Sequence, residues 1–374
     1  MDSIPTPAPA KPVAVPAQRT NPAGNASPET MRALIKHHAG EGLALDLQRP
    51  VPEVGPLDVL IRVKKAGICG TDRHIWQWDD WAASRIPVGI VTGHEFVGVV
   101  EHVGDAVTQF SKGQRVSAEG HITAGLDYNS RTGNAHIARD TKILGVDRDG
   151  VFADFVCVPE KNVWPVHDDI PDRIAATFDP LGNAVHTVMA AGVSAKSVLI
   201  SGVGIIGLMA VTVARAAGAS RIFCTDVNPP RLELAKKLGA VDAFDARQGD
   251  HWIKHVRDAT RGEGVDVLLE MSGAPTAIDE GFRALRNGGR AALLGLPAKP
   301  VTFDLNANII FKGCEVLGIN GRRMWETWYQ MEELLLGKRI HLDDIITHEF
   351  PIEQYQTAFD TMISGEGIKV LMNL

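Results

Sequence analysis

Cysteine is scarce in this chain, with four in 374 residues, at Cys69, Cys157, Cys224 and Cys314. They lie far apart and form no disulfide-like framework, which argues against a small stapled secreted domain and for a reducing compartment. A basic excess is missing as well. The formal net charge is −7, so there is no positive stripe to track a nucleic-acid backbone. No uninterrupted apolar run reaches membrane-spanning length. The nearest, Val198 to Ala214, is broken by Gly202, Gly204 and Gly207 and reads better as strand, turn and helix. Large apolar side chains are almost absent from residues 1–30, which are mostly Pro, Ala, Ser, Thr and Asn. Such a composition cannot offset its ordering entropy, so a disordered tail is expected there. The tail lacks the basic start and apolar core of a secretory signal, and Lys11 and Arg19 alone make a poor transit peptide. These absences point to a cytoplasmic globular protein with neither nucleic acid nor membrane as partner.

Hydrophobic residues make up 45% of the chain, enough for two cores of ordinary size. From Met31 onward, short apolar or alternating runs such as Val59–Val63 and Phe96–Val100 are separated by Gly, Pro and Asp, the texture of a β-rich domain. Beyond about Asp172 the texture changes. Ser197–Ser201, Arg221–Asp226, Val265–Met271 and Ala291–Leu296 predict strands, with helical patterns at Ile206–Ala217, Arg231–Leu238 and Thr276–Leu285 between them. Strand and helix in alternation predict a parallel, doubly wound sheet. Amphipathic helices are expected around Trp325–Leu336 and Ile352–Ser364, and a closing strand, Gly367–Met372, is expected to return to the first domain. Cys157, Cys224 and Cys314 sit in apolar strand-like settings and read as buried thiols.

Gly202-Val203-Gly204-Ile205-Ile206-Gly207 follows a predicted strand and opens a predicted helix. Glycine there permits a tight turn, close approach of backbone to pyrophosphate, and packing of helix on strand. The helix N-terminus offers unpaired N–H groups to phosphate. A glycine-rich turn alone is common. Here the next strand ends in Asp226, 19 residues beyond Gly207, where an acid would accept hydrogen bonds from the adenosine ribose and repel a 2′-phosphate. NAD is therefore the expected cofactor. Arg231 is placed to cover the adenine.

A second constellation lies in the β-rich half: Cys69-Gly70-Thr71-Asp72-Arg73-His74 and Gly93-His94-Glu95. Taken singly, Cys69 reads as a small buried hydrophobe, His94 as a hydrogen-bonded loop histidine and Glu95 as a solvated charge. Together they supply a thiolate, an imidazole and a carboxylate, a good zinc ligand set with one position left open.

With the dinucleotide fingerprint, these motifs resemble the zinc-containing medium-chain dehydrogenases, over essentially everything after Met31. The resemblance implies a β-rich GroES-like catalytic domain over residues 31–176 and 321–374, and a Rossmann NAD-binding domain over 177–320. It implies one catalytic zinc held by Cys69, His94 and Glu95, the last as ligand or exchanging near-ligand. It implies a proton relay through Thr71 and His74, with Asp179 close to the metal and coupled to proton transfer, direct ligation being the lesser option, and cofactor contacts from Ile206, Leu294-Gly295-Leu296 and Ile319-Asn320. Asn320 stands where relatives carry an aromatic residue. A homotetramer is the family's usual assembly.

Glu119–Thr123, Phe178–Thr187, Glu270–Pro275, Glu326–Tyr329 and Ile345–His348 resemble the threonine-oxidising branch of that family. This implies L-threonine as substrate, with His121 lining its pocket. Another polyol or secondary-alcohol dehydrogenase, of sorbitol or butanediol type, is the alternative enzyme, and a silent NAD-binding scaffold is the non-enzymatic one. One departure stands out. The family usually holds a structural zinc with four cysteines, and the corresponding positions here are Ala124, Asp127, Ser130 and Ala138. Hydrogen bonds from Asp127, Asn129, Ser130 and Asn134 are the expected substitute.

Overall fold

The computed structural model describes residues 28–374. The tail expected over residues 1–30 lies outside the described residues except at its end, where Thr30 opens the strand Thr30–Ile35, paired antiparallel with Ala44–Pro50.

The β-rich half is organised around one ten-residue strand, Asp58–Gly67. Val59, Ile61 and Val63 point into the main core of this half while Leu60 joins a smaller cluster on the opposite face, so the strand is buried on both sides. It pairs antiparallel with Glu95–Val103, Phe155–Pro159 and Lys369–Asn373. The closing strand thus does return to the first half of the chain, carrying Ile346–Pro351 parallel to it. The register sets Gly67 opposite both Glu95 and Leu371. A Cβ at Gly67 would stand 2.5 Å from Glu95 Oε2 and 2.8 Å from Lys369 Cε. Only glycine lets those two side chains meet across the strand.

The other half is a six-stranded parallel sheet. Its strands are β1 (Ser197–Ser201), β2 (Arg221–Asp226), β3 (Asp242–Asp245), β4 (Val265–Glu270), β5 (Leu285–Leu293) and β6 (Glu315–Gly318), in the order β3-β2-β1-β4-β5-β6. That is the strand order of a doubly wound dinucleotide fold, with the direction of winding reversing between β1 and β4. Val198 and Ile200 enter the core on one face of the sheet and Leu199 the core on the other, as the period of two requires. Helices α1 (Ile205–Ala216) and α2 (Pro229–Leu238) follow β1 and β2. Two expectations shift. β5 starts and ends before the predicted Ala291–Leu296, because Leu294, Gly295 and Leu296 leave the sheet at its carboxyl edge. β3 and β6 were not predicted; both are edge strands with few buried apolar residues and hence little hydrophobic signal. Cys157 and Cys224 are buried thiols as expected, but Cys314 is only half-buried.

The lobe without cysteines is clasped by carboxylates. Asp127 caps the short helix Tyr128–Arg131, accepting the Ser130 N–H at 2.9 Å, and its other oxygen accepts the Arg139 N–H at 3.1 Å. Asn129 donates to the Ile137 carbonyl at 3.0 Å. Asp140, unforeseen in the sequence, closes the base by accepting from the Thr123 hydroxyl and the Ala124 N–H. The Ser130 hydroxyl makes no bond, and Asn134 reaches Thr132 at only 3.4 Å. Because this clasp needs no metal, chelation should leave the lobe folded, and plasma mass spectrometry should find one zinc per chain. Asp127→Ala with Asp140→Ala should instead expose residues 124–138 to limited proteolysis. Two zincs per chain would contradict this account.

Candidate active site

Cys69 is the N-cap of the helix Gly70–Gln77. The Asp72 carboxylate turns back to accept the Cys69 backbone N–H at 2.9 Å, the carboxylate half of a capping box, and this fixes the thiol's approach. Ile75 and Trp76 anchor the far end of the helix in the core. His94 and Glu95 stand where the Glu95–Val103 strand begins. Cys69, His94 and Glu95 offer ligand atoms that all lie within 4.8 Å of one another.

The partners of these side chains show what the cluster lacks. Lys369, fully buried, pairs with Glu95 Oε2 and donates to the Ile68 carbonyl at 2.9 Å. Among the described residues, Glu95 Oε1, His94 Nδ1 and Asp72 Oδ1 are buried without a hydrogen-bond partner. Burial alone pulls the His94 pKa down, but Cys69, Asp72 and Asp179 beside it push it up to about 10. A buried group of sulfur, nitrogen and carboxylate donors with surplus negative charge fits a divalent zinc ion.

Thr71 is half-buried, its hydroxyl 4.0 Å from the Cys69 sulfur. His74 lies one helical turn on and is exposed, with Nδ1 2.5 Å from Asp79 Oδ2.

Asp179, on the first turn of the helix Phe178–Ala191, is not part of the donor trio. Its carboxylate is bound by Arg322, only 2% exposed. Arg322 also forks onto Glu119, with Nε 2.9 Å from Oε2. Glu119 is fully buried and further accepts from the Trp328 indole at 2.9 Å and from His121, through its backbone N–H at 2.9 Å and Nδ1 at 2.7 Å. Burial raises the Glu119 pKa, but Arg322 and His121 outweigh it and hold the carboxyl far below its usual range. His121 is thereby locked beside the site, its ring 3.0 Å from where a Cβ on Gly321 would stand. Sequence reasoning did not single out Arg322, Glu119 or Lys369. Their partners are 203 and 274 residues away, and no local spacing announces such pairs.

The glycine turn lies at the carboxyl end of β1. Gly202 has φ +89°, and a Cβ there would strike Ser272; one on Gly207 would stand 2.1 Å from the Gly202 carbonyl oxygen. Asp226 accepts the Val203 N–H at 2.8 Å and the Asn228 N–H at 2.8 Å. Arg231 lies over Gly204, its Nε buried and unpartnered. Ile206 sits in the first turn of α1. Leu294 and Gly295 donate to the Glu270 carbonyl, and Ile319 donates to Leu293 at 2.9 Å, so these residues line one carboxyl edge. Asn320 is exposed there.

A doubly wound sheet with this glycine turn, joined to a Cys–His–Glu cluster, defines a dinucleotide-dependent dehydrogenase with a metal centre. Residues 55–168 match the alcohol dehydrogenase GroES-like domain and residues 206–337 the zinc-binding dehydrogenase domain. The chain is 47% identical over 345 residues to the L-threonine 3-dehydrogenase of Symbiobacterium thermophilum, covering 92% of this chain and 98% of that protein. Among solved structures it resembles the alcohol dehydrogenase of Thermus sp. ATN1 (29% identity, TM-score 0.84, covering 92% and 99% of the two chains). It also resembles 2R,3R-butanediol dehydrogenase from Bacillus subtilis (25% identity, TM-score 0.83, covering 92% and 100%). The chain belongs to the zinc-dependent medium-chain dehydrogenases.

Arg322→Met should leave Glu119 and Asp179 as uncompensated buried charges and cost about 3–5 kcal/mol in denaturant unfolding. Arg323→Met, whose partner Glu326 is exposed, should cost less than about 1 kcal/mol. Equal effects would show that the buried network carries no special weight.

Proposed function

We propose that this dehydrogenase oxidises the 3-hydroxyl of L-threonine to 2-amino-3-oxobutyrate while reducing NAD. The observation that carries the proposal is 47% identity over 92% of the chain to an enzyme named for that reaction, supported by the Cys69–His94–Glu95 donor cluster. Cys69, His94 and Glu95 would hold the zinc, Glu95 with one oxygen on Lys369 and the other without a partner among the described residues. When bound, zinc lowers the pKa of an alcohol and NAD accepts its hydride. Thr71 takes the hydroxyl proton and passes it to His74, whose imidazole beside Asp79 releases it to solvent. Asp179, tied to Arg322, tunes the charge beside the metal rather than ligating it. His121, locked by Glu119, lines the substrate pocket. Asp226 selects NAD by accepting from the adenosine ribose and repelling a 2′-phosphate, and Arg231 covers the adenine. Assembly as a cytoplasmic homotetramer belongs to the same proposal.

An NADH-absorbance assay should give a higher kcat/KM for L-threonine than for sorbitol or 2,3-butanediol. A reversed order would move the enzyme to the polyol and secondary-alcohol branch. Thr71→Val keeps the volume and removes the hydroxyl; it should retain zinc while kcat falls by roughly 10²–10⁴-fold. Undiminished turnover would exclude the relay.

A further inference from the structure

Glu270 ends β4, directly across the ladder from Ser201 at the end of β1. The winding of the sheet reverses between these two strands, so Glu270 stands at the crevice where such folds bind their ligand. It ties together the two loops that follow β4 and β5. Its backbone carbonyl accepts the Leu294 N–H at 2.9 Å and the Gly295 N–H at 3.1 Å. Its side-chain Oε1 accepts the Ser272 N–H and the Gly273 N–H, each at 3.0 Å, and the Ser272 hydroxyl. A Cβ at Gly295 would lie 2.6 Å from Glu270 Oε2. The carboxylate is thus fixed in place.

Its charge is left unbalanced. The residue is 1% exposed, and its hydrogen-bond partners are two amides and a hydroxyl. Among the described residues it forms no salt bridge, unlike Glu95 and Glu119, which have Lys369 and Arg322. Burial therefore pushes its pKa up, while the hydrogen bonds from Ser272 and Gly273 favour the charged form; a mobile cation brought beside it favours that form further. Asp226 lies on the β2 side of the glycine turn, where the adenosine end is read. The other half of a dinucleotide laid across the reversal point therefore falls on the β4–β5 side, with Glu270.

We propose that Glu270 makes the crevice distinguish oxidised from reduced dinucleotide, favouring the nicotinamide ring while it is positively charged. In the reaction the substrate's carbinol C–H bond breaks, and its hydrogen with both electrons forms the new C–H bond on the ring. The ring thereby loses its charge, and the attraction to Glu270 ends with it. The carboxylate helps to hold NAD⁺ before transfer and gives no such hold on NADH afterwards.

The inference rests on the dinucleotide assignment above, and binding alone tests it. Calorimetric titration of the zinc-loaded protein with NAD⁺ and with NADH gives the ratio of Kd for NAD⁺ to Kd for NADH. Glu270→Gln keeps the shape and removes the charge; it should raise that ratio by about tenfold. Glu270→Asp keeps the charge; it should weaken both dinucleotides yet leave the ratio within about twofold of the native value. If the glutamine variant does not fold, Glu270→Ser supplies the neutral comparison. A ratio unchanged in the neutral variant, or moved as far by aspartate, would overturn the role of charge. Failure of the native protein to bind either dinucleotide would instead refute the underlying assignment.

Discussion

The buried fork of Arg322 between Glu119 and Asp179 holds the two halves of the molecule in chemical contact. Arg322 follows the last strand of the parallel sheet, Glu119 belongs to the β-rich half, and Asp179 opens the helix that links them. Removing a guanidinium from water is expensive, and only two carboxylates with good geometry make it tolerable. The same network holds His121 on Glu119 and Asp179 on Arg322. Lys369 repeats the arrangement on a smaller scale by holding one oxygen of Glu95. What remains unbalanced among Cys69, Asp72, His94 and Glu95 is the charge that a zinc ion supplies.

The lobe at residues 124–138 shows how a metal clip can be replaced. Four thiolates around zinc hold a loop by strong directional bonds from one centre. Here two carboxylates, Asp127 and Asp140, each gather two donors from chain segments that a metal would otherwise join. Asp127 does so as a helix cap and Asp140 as a bridge to the base of the lobe, and neither set of bonds involves a metal. Altered surroundings therefore do not make this a silent scaffold, since the donors Cys69, His94 and Glu95 are kept together within 4.8 Å of one another.

The crevice and the cluster manage charge in opposite ways. Around the zinc ligands, excess negative charge is fixed and calls for a permanent cation. At the carboxyl end of β4, Glu270 leaves one negative charge beside a space that a ligand enters and leaves. A permanent ion suits a Lewis acid, while a transient one suits a cofactor whose charge changes during the reaction.

The sequence by itself determined the elements whose cause is local. β1 and β2 fall where apolar runs predicted them, and the glycine turn follows because only glycine accepts φ +89° beside Ser272. The ligand types Cys69, His94 and Glu95 were readable as a set because a thiolate, an imidazole and a carboxylate suit zinc and their motifs resemble a zinc-dependent family. The resemblance to a zinc-dependent family added roles that spacing alone leaves open, such as those of Thr71 and His74. Tertiary structure decided the rest: which anions are compensated, by Arg322 and Lys369, and which are not, as with Glu270. It decided too that the expected lobe clasp uses Asp140 and leaves the Ser130 hydroxyl idle. Charge compensation depends on distance through a low-dielectric interior, and residues 203 or 274 positions apart acquire that distance only when the sheets close.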